Sequence, residues 1–200
     1  NTARQNMGEA GTNTAALAFG GYAGPPGRVA VTETWNGTNW TEVADLIAAR
    51  NGLAGAGTNT AALAFGGLNP GLTPGPRQAI TELWNGSSWT EVADLNTARN
   101  SLAGCGTQTA ALAFGGATPT LSAATEEWNG TSWAEVNDLN VARSNLVGAG
   151  ITTAALGFGG SPTPDSTEEF NTGVAVGAWS TGGDLNTARY NLAGAGTQTA

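Results

Sequence analysis

The chain has 200 residues and a formal net charge of −8, and only 11% of its residues are charged. That balance offers no basic face to a nucleic-acid backbone, and 31 glycines among 40% hydrophobic residues do not suit a disordered chain. No run approaches the 18 apolar residues of a membrane span, and the absence of histidine removes parts that copper sites, zinc sites and Ser–His–Asp triads normally need.

In chain order, the first unit is residues 4–21. It runs from Arg4 through a Gly/Ala-rich stretch and the hydrophobic AALAF to Gly20-Gly21. It returns as residues 50–67, 99–116 and 143–160, each 17 residues from arginine to second glycine, and a fifth copy begins at Arg189. The arginine-to-arginine periods are 46, 49, 44 and 46, so the chain is a repeat protein.

The second unit serves as the type. Residues 53–57 predict a strand of very small residues, Thr58-Asn59 a turn, and residues 60–65 a second strand ended by Gly66-Gly67. A loop follows over 68–78, then a third strand over 79–84. Asn85-Gly86-Ser87-Ser88 is a hairpin turn, because Asn-Gly readily accepts positive φ, and a fourth strand starts at Trp89. Four short strands joined this way make one antiparallel sheet. The expected units are residues 1–46, 47–95, 96–139 and 140–185, with 186–200 as the first strand of a fifth. All belong to one domain over 1–200.

Fixed and variable spacings separate frame from loops. The second aromatic of each hairpin, at Trp40, Trp89, Trp133 and Trp179, lies 10 residues before the next arginine every time. The hairpin aromatics are 5 apart at Trp35/Trp40, Trp84/Trp89 and Trp128/Trp133, but 9 apart at Phe170/Trp179, an insertion of four residues. The step from glycine pair to first aromatic varies from 10 to 17. Small residues on the first strand suit the crowded axis of converging sheets, and large aromatics on the third and fourth suit a splayed outer part. That gradient describes the blade of a β-propeller.

The order arginine, Gly/Ala strand, hydrophobic strand, Gly-Gly, variable loop, aromatic, hairpin and tryptophan resembles the kelch repeat over essentially the whole chain. One departure is Trp or Phe where kelch repeats carry tyrosine before the hairpin. The resemblance implies an all-β kelch-type propeller. Because propellers normally close, four blades plus one strand imply part of a ring of five to seven. A chain beginning at Asn1 also reads as processed, or as a piece of something longer. The wording WNGTSW, LAGAGTQTAALAFGG is similar to kelch-like repeats of tailed-bacteriophage structural proteins. It implies a non-catalytic virion or tail-appendage protein that docks another virion protein or a host surface glycan. Self-association is a further expectation, with no cofactor, no nucleic acid and no membrane insertion. The alternatives are an extracellular or cellular kelch-like interaction module and a carbohydrate-active enzyme.

Several residues invite a chemical reading. Arg4, Arg50, Arg99, Arg143 and Arg189 offer either a ring of anion-binding groups or structural bonds within blades, with Asp45, Asp94, Asp138 and Asp184 as expected partners. Glu33, Glu82, Glu126 and Glu168 recur two residues before the aromatic, which points to structure rather than to a catalytic carboxylate pair. Cys105 stands where other copies have alanine, as a small filler or a reactive thiol. Glu9 replaces a repeated glycine, as a channel acid or a loosened first copy. Trp84, Trp89, Trp128 and Trp133 are expected at blade interfaces. The loops 22–32, 68–78, 117–124 and 161–166 hold all eight prolines and the two arginines outside the repeat. They are either spacers or a partner-binding face carried by Tyr22, Arg28, Arg77, Thr118-Pro119 and Asp165.

Overall fold

Turn chemistry cuts the chain into strands of four or five residues. In the second unit Thr58 N donates to Ala61 O (2.8 Å) and Ala61 N to Thr58 Oγ1 (3.1 Å). This closes a turn over 58–61, two residues longer than the sequence predicts. Asn85 Oδ1 accepts from Ser87 N and Ser88 N, both at 2.9 Å, and closes the hairpin as expected. Ala79 also leaves the expected third strand, because its carbonyl accepts from Leu95 N (3.0 Å) and anchors the outgoing chain.

In the computed structural model, which describes residues 2–25, 27–72, 76–172, 177–192 and 194, the protein is an all-β propeller of four blades. The first blade is β1 (Gly8–Thr12), β2 (Ala15–Phe19), β3 (Thr32–Trp35) and β4 (Trp40–Val43). The second is β5 (Ala54–Gly57), β6 (Ala62–Phe65), β7 (Thr81–Trp84) and β8 (Trp89–Val92). The third is β9 (Ala103–Gly106), β10 (Ala111–Phe114), β11 (Thr125–Trp128) and β12 (Trp133–Val136). The fourth is β13 (Val147–Ile151), β14 (Ala154–Phe158), β15 (Thr167–Asn171) and β16 (Ala178–Thr181). Every sheet is a simple antiparallel meander, and each pairs its hairpin aromatics directly, as Trp84 with Trp89 and Phe170 with Trp179. The fifth-blade strand expected within 186–200 would run through 193 and 195–200, which lie outside the described residues. So do 173–176 of the inserted hairpin.

The innermost strands pack in series, β1 on β5, β5 on β9 and β9 on β13, while among the described residues β13 and β1 share no comparable contact. Each blade buries its face against its neighbour in one repeated way. Phe19, Phe65 and Phe114, fully buried, meet Trp89, Trp133 and Trp179 of the following blade at 5.0, 5.0 and 4.8 Å between ring centroids. The same tryptophans donate from Nε1 to Thr32, Thr81 and Thr125 of the preceding blade at 3.0–3.1 Å. Their first aromatics, Trp84 and Trp128, are fully buried and bond back to the turn carbonyls of Asn59 and Gln108 (3.0 Å each). A buried indole needs such a partner, and here both rings have one.

Glycine is required where blades meet most closely. A Cβ at Gly104 would lie 2.5 Å from Phe65 Cζ, and one at Gly55 2.6 Å from Phe19 Cζ. The glycine pair is the second such place. Gly66 (φ +69°) and Gly67 (φ +115°) turn the chain so that Gly67 N donates to the carbonyl of Arg99 (2.9 Å), where the next repeat crosses.

Candidate functional site

Four arginines form the joints of the frame. Arg50, Arg99 and Arg143 are wholly buried, and each pairs with the glutamate of its own third strand: Arg50 with Glu82, Arg99 with Glu126 (3.0 Å) and Arg143 with Glu168 (2.9 Å). Arg4 pairs with Glu33 in the first blade. The guanidinium of each also donates to a second-strand carbonyl, as Arg99 to Ala113 (3.1 Å) and Arg143 to Gly157 (3.2 Å). Burial pulls the pKa of Arg50, Arg99 and Arg143 below its ordinary value, and Glu82, Glu126 and Glu168 oppose that pull. The carboxylates are shared with the connections between blades, because Ile47 N, Asn96 N and Asn140 N donate to Glu82, Glu126 and Glu168 at 2.6–2.7 Å.

This corrects the expected aspartate partners. Asp45, Asp94 and Asp138 instead accept from the backbone N of Thr32, Thr81 and Thr125 at 3.0–3.2 Å. They stand close to the arginine in sequence, but the chain turns between them and aims each carboxylate back at the start of the third strand. The glutamate lies 25 or more residues away from its arginine, on the third strand of the same blade, so only the recurring Thr-Glu-x-aromatic pattern carried any signal of the pairing. None of these arginines is free to bind an anion.

A cleft of about 550 Å³ runs between the innermost strands and is walled mainly by glycine and alanine, with Leu53, Leu102, Leu146 and Leu192 also lining it. Glu9 is the one charged residue among its described lining residues. Glu9 is exposed as a residue, yet partial burial of its carboxyl in the cleft raises its pKa above the usual carboxylate value. Cys105 also lines the cleft but is buried, and burial pushes its thiol up to about 12. It is a small packing residue paired opposite Leu112 and not a reactive thiolate. Among the described residues no group of three His, Cys, Asp or Glu side chains is placed to hold a metal ion.

The variable loops leave corresponding ends of the four sheets, where the second strand passes to the third. Their bases are fixed by isolated bridges: Tyr22 to Gln5 and Arg28, Leu68 to Asn51 and Arg77, Ala117 to Asn100 and Leu121, and Ser161 to Ser144. Arg28 packs over the Tyr22 ring at 5.8 Å and donates from Nε to Asn51 Oδ1 (2.9 Å) and Leu68 O (3.2 Å). It therefore ties the first loop to the base of the second, a contact for which the sequence held no pattern. Arg77 is half-buried, Thr118 half-buried beside the exposed Pro119, and Asp165 exposed, with its carbonyl accepting from Leu185 N (2.8 Å). The structure thus brings Tyr22 and Arg28 together and leaves Arg77, Thr118-Pro119 and Asp165 on separate blades.

The chain matches no protein-family model, and no curated protein matches it either.

Proposed function

We propose that the chain is a kelch-type propeller, part of a ring of more than four blades. It serves as a non-catalytic docking module of a tailed-phage virion or tail appendage, and it binds another virion protein or a host surface glycan through its second-to-third-strand loops. One contrast carries this reading. The buried frame repeats with few substitutions, down to the arginine–glutamate joint, whereas the loops on those rigid strand ends differ in length and sequence in every blade. A frame that does not vary, holding loops that do, is how binding surfaces are commonly built. Tyr22, Arg28 and Arg77 supply an aromatic face and cationic donors suited to a sugar ring or an acidic group. The virion assignment draws its support from the repeat wording alone.

The test is binding of the chain to purified host surface glycan and to purified virions, compared with the Arg28→Ala/Arg77→Ala double variant. Binding weakened roughly tenfold or more, with thermal stability changed by only about 1 kcal/mol for the lost Arg28 bonds, is expected. Equal binding by the double variant removes the loop face from the account. Binding to neither target removes the virion role.

A further inference from the structure

We infer that the hairpin asparagines Asn36, Asn85 and Asn129 are sites of self-modification, at which the side-chain amide is lost to attack by the chain's own backbone and aspartate or isoaspartate takes its place. This goes beyond the docking role and does not depend on the variable loops.

The pair Asn-Gly occurs four times in the chain, at 36–37, 51–52, 85–86 and 129–130. The reaction needs a glycine nitrogen free to attack, a polarised side-chain carbonyl and a way out for ammonia. In the three hairpins both residues are exposed, and the N–H of Gly37, Gly86 and Gly130 donates to nothing among the described residues. Each glycine sits at φ +91° to +93° and has no β-carbon to screen its nitrogen. Asn36 Oδ1 accepts from Thr38 N (3.0 Å) and Asn39 N (2.9 Å), and Asn129 Oδ1 from Thr131 N (2.9 Å) and Ser132 N (3.0 Å). Asn85 Oδ1 has the same two bonds, from Ser87 N and Ser88 N. That oxygen is the atom on which negative charge develops when Cγ is attacked. Two backbone N–H groups already point at it, which is how an oxyanion is stabilised.

Water is the only co-reactant. The Gly86 nitrogen gives its proton to solvent base and bonds to Asn85 Cγ, the Cγ–Nδ2 bond breaks, and ammonia leaves with a proton from water. Water then opens the succinimide ring, at Cγ to give aspartate or at the main-chain carbonyl to give isoaspartate. Asn51-Gly52 sets the same pair in a place that forbids the first step. It is half-buried, Gly52 N donates to Asn6 O (2.7 Å), and Asn51 Oδ1 accepts from Arg28 Nε (2.9 Å). Its backbone is bridged to Leu68 as well. The attacking nitrogen is committed to the junction of blades one and two and is released only when that junction opens. The structure therefore divides four identical pairs into three that react and one that does not. The three lie at the sheet ends opposite the variable loops. Their hairpins over 36–39, 85–88 and 129–132, and the turns over 13–14, 58–61, 107–110 and 152–153 at the same ends, hold no charged residue. Conversion places a carboxylate on each of three blades of a neutral face and takes the net charge from −8 to −11.

The experiment is peptide mapping by mass spectrometry through a time course at mildly alkaline pH, on the native 200-residue chain and on the same chain unfolded in guanidinium chloride. The mass gained when an amide becomes a carboxyl marks each event, and fragmentation separates aspartate from isoaspartate. Asn36, Asn85 and Asn129 should convert in the native chain within roughly tenfold of their unfolded rates, whereas Asn51 should convert at least about a hundredfold more slowly native than unfolded. Hairpin asparagines that stay intact in the native chain while the unfolded chain reacts overturn the proposal. So does an Asn51 that reacts as fast as they do in the native chain, since the dipeptide and not its setting would then decide the rate.

Discussion

Trp133 and Trp40 occupy the same place in their repeats, yet one is 6% exposed and the other 39%. Both stack on the other aromatic of their hairpin, at 5.4 and 5.6 Å, and both head strands of the same pattern. Only the neighbour differs: Trp133 has Phe65 and Thr81 of blade two against it, and among the described residues no phenylalanine or threonine of another blade meets Trp40 in this way. Burial in this protein is therefore a property of the junction between repeats and not of the repeat itself. Arg99 and Arg189 teach the same lesson, since an arginine that follows the same five residues, Asp-Leu-Asn-Thr-Ala, is wholly buried and paired in one place and exposed in the other.

Substitutions made in matched pairs turn that contrast into numbers. Trp133→Ala should cost about 3–5 kcal/mol through the cavity left between blades two and three. Trp40→Ala, measured in dilute solution, should cost no more than about 1 kcal/mol, the loss of one stacked and largely exposed ring. Chemical denaturation of the two variants checks both values, and equal losses would break the comparison. Arg99→Met leaves Glu126 buried without its partner and should cost about 3–5 kcal/mol, whereas Arg189→Met should stay within about 0.5 kcal/mol. At the crowded glycine position, Gly104→Ala should cost about 1–3 kcal/mol because its methyl meets Phe65, while Glu9→Ala at the unpacked equivalent should be close to neutral.

The smallest effect near neutral pH belongs to Cys105→Ala, since alanine fills this place in the other repeats. Its pH dependence is still informative. The native thiol is held protonated up to about pH 12, while an unfolded thiol ionises near 8.5. Between these values the native state binds more protons, so stability falls as pH rises, by up to about 1.4 kcal/mol per unit from this group. The alanine variant should lose that part of the slope between pH 9 and 12, and identical slopes would mean that the thiol is open to solvent.

Much of this architecture could be read from the chain. The constant steps from Arg50 to Gly67 and from Trp89 to Arg99, repeated in every unit, delimit four-stranded units, and the small-to-large gradient orders the strands from axis to rim. Pairings between layers were less legible. Asp94 lies five residues before Arg99 and looked like its partner, but local turn geometry commits it to Thr81, and the true partner comes from the third strand. Both Thr81 and Glu82 are buried although neighbouring strand residues face opposite ways, because a blade has a neighbour on each side. That is why the simple inside-and-outside alternation of a two-layer sheet does not appear. The loops were least legible of all, since the bond from Arg28 to Asn51 belongs to a connection that does not repeat.

Face-to-face packing of successive repeats is the central claim, and a double-mutant cycle on Phe65 and Trp133 tests it most directly. The two residues are far apart in sequence and meet only if blades two and three stack, at 5.0 Å in an edge-to-face pair. Unfolding free energies of Phe65→Leu, Trp133→Leu and the double variant should give a coupling of about 0.5–1.5 kcal/mol. Strictly additive losses would contradict the packing of one blade on the next.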